Sequence, residues 1–172
     1  NMKKLYTMLL LVISLCTASC SDWLDVSPSN QVNGDKLFEI GDGYRNALNG
    51  IYLNLGTSSM YGQTMSWGFM DAIAQYYKTD NGSNFIPKTS AYYKSAKFQF
   101  EDSDVKTFIS NIWSVSYNNI ANCNNLILNV SEASPSVFKE GEFEKNMIWG
   151  EALALRAFMH FDLLRLFAPA IS

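Results

Sequence analysis

Tyr77, Phe85, Tyr92 and Tyr93 share one stretch of chain with Asp80, Asn81 and Asn84. Aromatic rings offer flat apolar faces to the C–H surface of a sugar ring. Short amides and carboxylates beside them offer hydrogen bonds to its hydroxyls. These residues form the candidate glycan-binding set. The competing assignment is that Tyr92 and Tyr93 cap the core. Other constellations are weaker. His160 is the single histidine, with Asp162 and Glu151 near it in sequence. Residues 160 and 162 fall on different sides of a helix, so a structural histidine is expected rather than a metal ligand. No Ser–His–Asp set, Cys–x–x–Cys pair or phosphate loop appears, and Gly41-Asp42-Gly43 reads as a turn. No catalytic residue, metal or cofactor is expected.

The elements that must position such a stretch are helical. From Glu142 to Phe167, Ile148, Ala152, Leu155, Met159, Leu163 and Leu166 recur in steps of three or four, one stripe of a helix. A second set, Leu153, Ala157, Phe161 and Leu164, widens that stripe until most of the helix is apolar, so partners are expected on more than one side. Pro169 ends it. Before it, Asp102-Ser103-Asp104 suits the positive end of a helix dipole. Val105, Ile109, Ile112, Ser116, Ile120, Cys123, Ile127 and Val130 then recur at helical spacing, flanked by Trp113 and Tyr117. Asn118, Asn122, Asn125 and Asn129 mark the opposite, polar face. With Ser134-Pro135-Ser136 as the turn, the two helices make an antiparallel hairpin. Ile112, Ile120, Leu155 and Met159 are expected to be buried in its seam.

Upstream, Asp42–Leu55 places Tyr44, Leu48, Ile51 and Leu55 on one face, with Gly56 as the left-handed residue that closes the helix. Gly62–Tyr77 reads as another helix, apolar enough that Trp67 and Phe69 are expected in the core. Lys78–Phe100 has no obvious element and is rich in turn residues. Its aromatics favour an ordered, working loop over disorder. Phe98 and Phe100 around Gln99 suggest a short extended piece.

The chain is 48% hydrophobic, 14% aromatic and 17% charged, the composition of a folded globular protein. Its net charge of −3 and the lack of a basic stripe argue against a nucleic-acid partner. Lys3 and Lys4, the uncharged run Leu5–Leu15 and then Thr17-Ala18-Ser19-Cys20 form a secretion signal. The run is too short to span a bilayer, which takes about twenty residues. A cysteine directly after the small residues resembles a lipoprotein signal, in which Cys20 becomes the first mature residue and carries the lipid. The alternative is an ordinary signal with a chance cysteine. Loss of Cys16 and modification of Cys20 leave Cys123 without a partner, so no disulfide framework is expected.

Three pieces agree on a resemblance. CSDWLDVSPSNQV follows the signal, NIWSVSYNNIANCNNLILNV forms one helix, and GEALALRAFMHFDLLRLFAPA forms the next. Together these are similar to the amino-terminal part of the SusD/RagB family of outer-membrane nutrient-binding lipoproteins. The resemblance implies an all-α fold of tetratricopeptide-like hairpins and a lipid anchor at Cys20 facing the cell exterior. It implies a SusC-like TonB-dependent transporter as partner and an oligosaccharide as ligand. Family members are longer, so the chain is expected to be truncated: a signal peptide over 1–19, an extended tether over 20–41 and an incomplete helical domain over 42–172. Arg156 and Asp162 match the family's helix pattern and suit hydrogen bonding between helices. Two functions of different class stay open: a glycan-binding lipoprotein of an uptake complex, and a surface-anchored helical scaffold that binds another protein. A helical glycoside hydrolase would need paired carboxylates across a cleft, which nothing here suggests.

Overall fold

The computed structural model describes residues 34–78 and 86–169, so Cys20 and the signal lie outside the described residues. The chain divides into two compact units, Asn1–Lys36 and Leu37–Ser172. Of the first, only the opening of a single helical turn, α1 (Gly34–Leu37), is described. The second is all-α, without a strand among its described residues. It contains α2 (Gly41–Leu55), α3 (Phe69–Ile73), α4 (Ala91–Ala96), α5 (Ser103–Glu132), a 3-10 turn at Pro135–Val137 and α6 (Gly141–Phe167).

The α5–α6 hairpin forms as the periodicity requires. Asp102 caps α5, its carboxylate accepting from the Asp104 amide at 3.0 Å. Pairs across the hairpin run antiparallel. Lys145 Nζ reaches the Ala133 carbonyl at 2.8 Å, Arg156 Nη1 donates to Asn124 Oδ1 at 2.9 Å, and Trp113 meets the Phe167 ring edge-on. Ile112, Ile120, Cys123, Val130, Ile148, Ala152, Met159 and Leu163 are buried in the seam. Leu155 is not: it packs on the rim of this cluster and is only half-buried.

Helix α2 lies against both partners. Tyr44, Leu48, Ile51 and Leu55 enter the same core as the hairpin seam. Arg45 pairs with the buried Glu144 at 2.6 Å, Tyr52 donates to Glu151 at 2.8 Å, and Asn54 donates to the fully buried Asn119 at 3.3 Å. Glu144 also accepts from the Glu140 amide at 3.0 Å, and these bonds hold its carboxyl below the ordinary carboxylate range. The second apolar set on α6 finds no such partner. Leu153, Ala157, Phe161 and Leu164 stay exposed, and so does Phe143.

Three expectations are overturned upstream. Gly56 ends α2 in the right-handed region, at φ −75°, because the chain winds straight on into further turns instead of reversing. Most of 62–77 is not an α-helix. Gly62, Met65 and Gly68 donate to Thr57, Met60 and Gln63, five residues back, at 3.0, 2.8 and 2.8 Å. That is wider winding than the four-residue ladder of an α-helix. Thr64 and Ser66 hydroxyls take further carbonyls, at Ser58 and Tyr61. A Cβ at Gly62 would run into the carbonyl oxygens of Gly56 and Thr57, so only glycine permits this close path. Only Phe69–Ile73 recovers α geometry before Gln75, at φ 62°, ends it. The shifted winding buries Met65, Phe69 and Ala72 but turns Trp67 out, 57% exposed, where a core position was expected.

In the Lys78–Phe100 stretch the structure adds α4, capped by Ser90. Phe98 to Phe100 is a turn, not an extended piece. Phe98 sits at φ 55°, and Phe98 and Gln99 donate back to Ser95 and Lys94 at 2.9 and 3.0 Å.

Candidate functional site

The wide turns, α3 and α4 converge on a cleft of about 260 Å³ lined by Trp67, Gly68, Tyr77, Ile86 and Tyr92. Each wall has a separate cause. Trp67 is presented outward by the turn that ends at Gly68. Tyr77 folds back over it, its hydroxyl donating to the Trp67 carbonyl, with Asp71 Oδ2 as a second acceptor at 3.3 Å. Partial burial and the Asp71 carboxylate push this phenol above its ordinary range, so it stays protonated at neutral pH. Tyr92 stands in the first turn of α4. Its ring stacks on Phe108 of α5, centroids 5.3 Å apart and planes within 22°, and Phe108 meets Phe69 of α3 at 5.7 Å. Gln63 Nε2 donates to the Tyr92 hydroxyl at 2.7 Å. The cleft is thus an almost wholly apolar, largely aromatic surface, and behind it Gln63, the Trp67 carbonyl and Asp71 engage the hydroxyls of the two tyrosines that line it.

Of the expected binding residues, Tyr77 and Tyr92 come together here. Tyr93 points elsewhere, half-buried with Lys97 Nζ 5.7 Å from its ring centroid. Asp80, Asn81, Asn84 and Phe85 lie outside the described residues. Trp67, Gln63 and Ile86 were missed. Gly62 and Gly68 were the available signal, since two glycines in seven residues argue against an uninterrupted helix.

The other polar candidates are accounted for. Asp162, buried on α6, accepts from the Tyr61 hydroxyl and from Arg165 Nε at 2.6 Å. Arg156 joins the two long helices through Asn124. Both therefore serve the helix packing. His160 is exposed beside Trp113, Tyr117 and Leu164 at a shallow depression. It is exposed because it falls on the side of α6 turned from the seam. Among the described residues no group of three His, Cys, Asp or Glu side chains could hold a metal ion. Burial pushes the free Cys123 thiol up to about 11. A second cleft of about 220 Å³ lies among Phe69, Ile73, Phe100, Ile109, Leu166 and Phe167; no side chain lining it is polar. No described helix is long and apolar enough to cross a membrane.

A SusD-like family model, described as starch-binding and associating with the outer membrane, matches residues 22–172. Comparisons with curated proteins and with solved structures gave no match.

Proposed function

Because the chain belongs to the SusD-like family of starch-binding proteins associated with the outer membrane, we propose that it is a surface lipoprotein that holds a glucan in the Trp67 cleft. It is anchored through Cys20, faces the cell exterior, and passes its ligand to a SusC-like TonB-dependent transporter. The hairpin α5–α6 serves as a tetratricopeptide-like support for the cleft. One observation carries the reading: Trp67, Tyr77 and Tyr92 frame an open, apolar aromatic surface. A pyranose has the complementary chemistry, a C–H face bounded by hydroxyls.

Trp67→Ala removes the largest exposed ring of the cleft. Affinity for maltoheptaose, measured by calorimetry, is expected to fall about tenfold or more. The melting temperature is expected to stay within a degree or two, since an exposed side chain contributes little to the fold. Full affinity in the variant would remove the cleft from the account. It would favour the second reading, in which the exposed Phe143, Leu153, Phe161 and Leu164 face of α6 binds another protein. For the anchor, mass spectrometry of the amino-terminal peptide from native membranes is expected to find lipid on Cys20. An unmodified terminus at another residue would refute it.

A further inference from the structure

Taking the cleft as a carbohydrate site, we infer that Gln63 fixes the direction of its hydrogen bonding, so that Tyr92 donates to the ligand while Tyr77 accepts. A phenol carries one proton. The Tyr92 oxygen already accepts from Gln63 Nε2 at 2.7 Å, so its own proton cannot point at Gln63 and is left for a ligand oxygen. Its ring is held by the stack on Phe108, which keeps the oxygen in place. Tyr77 is the reverse case. Its proton is committed to the Trp67 carbonyl, with Asp71 as the alternative acceptor, and only oxygen lone pairs remain for the ligand. Tyr77 and Tyr92 line the cleft together with Trp67. The site therefore selects a pyranose with a hydroxyl that donates at Tyr77 and an oxygen that accepts at Tyr92. Gln63 is a positioning residue: it acts through Tyr92 and does not itself line the cleft.

Gln63→Glu tests this with almost no change of shape. At neutral pH a carboxylate at position 63 accepts the Tyr92 proton, and the cleft loses its donor. Binding of maltoheptaose is expected to weaken about five- to tenfold, the worth of one ordinary hydrogen bond. As the pH falls below about 4, the introduced carboxyl becomes protonated. It then donates to Tyr92 as the amide did, and affinity is expected to return to that of the parent at the same pH. Asp71, beside Tyr77, is common to both proteins, so the comparison with the parent at each pH isolates position 63. Tyr92→Phe keeps the stack on Phe108 but has no hydroxyl, so it should show the same loss with no recovery in acid. Parent-like affinity of Gln63→Glu at neutral pH overturns the inference, and so does a loss that acid leaves unchanged. If Gln63→Glu does not fold, Tyr92→Phe decides whether the Tyr92 hydroxyl meets the ligand at all: parent-like binding overturns the inference, and the expected loss upholds that contact. A parent protein that binds no maltoheptaose would instead bring down the carbohydrate reading, and this inference with it.

Discussion

A chain carrying Met159→Asp is expected to unfold at a far lower urea concentration than the parent. Met159 is fully buried at the centre of the α5–α6 seam. A carboxylate there has no donor to satisfy it and also leaves part of the thioether's space unfilled. Burying an unpaired charge and opening a cavity each rank among the most destabilising changes known, and together cost about 4 kcal/mol or more. That is a large share of the roughly 5–15 kcal/mol that a domain has to lose. Leu155→Asp is the control. Its side chain is only half-buried at the rim, so water can reach the new carboxylate and the loss should be clearly smaller. Urea unfolding of the two variants beside the parent checks the order. Equal losses at the two positions would mean that the seam is not where the packing places it.

The second large effect concerns Asp162. Its buried carboxylate ties the Tyr61 hydroxyl, from the wide turns after α2, to Arg165 on its own helix. Asp162→Ala leaves the Tyr61 hydroxyl without its acceptor and frees Arg165, whose side chain is 43% exposed and can rehydrate. The expected cost is about 2 kcal/mol, most of it from the unpaired buried groups and little from the ion pair as such. Tyr61→Phe should cost less, because it removes the donor rather than stranding it. In the double variant Asp162→Ala with Tyr61→Phe, part of the Asp162→Ala loss should be recovered. Strictly additive losses in that cycle would show that the two groups are not coupled.

The long helices were legible because their apolar spacing is regular over many turns, and the Asp102 cap follows from residue type at the helix start. Arg156 and Asp162 were singled out through the resemblance to the family's helix pattern: Arg156 does bridge the two long helices, whereas Asp162 bonds Tyr61 of the turns and Arg165 of its own helix. Chain direction around the cleft was harder. Gly62–Tyr77 is apolar at helical spacing, yet its amides reach five residues back and its hydroxyls take carbonyls an α-helix would use. Periodicity cannot distinguish the α-helical repeat from a slightly wider winding over so short a run. That single shift explains why Trp67 faces solvent while Met65 and Phe69 stay inside. Helix α6 shows a different limit. It is apolar on nearly all sides, and sequence does not say which sides have partners. One stripe meets α5 and α2, while Phe161 and Leu164 remain exposed. Tyr92 and Tyr93 are neighbours with the same chemistry, and only the turn of α4 decides that the first lines the cleft.

Trp67 offers the most direct test of the central claim, since the chain has only four tryptophans and one of them lines the cleft. In a nitrogen–proton correlation spectrum each indole N–H gives its own resonance, assignable by Trp67→Phe. Titration with maltoheptaose is expected to move the Trp67 resonance progressively to saturation, while that of Trp149, packed beside the core, stays still. Binding that saturates by calorimetry while the Trp67 resonance does not move would place the glucan elsewhere and contradict the account.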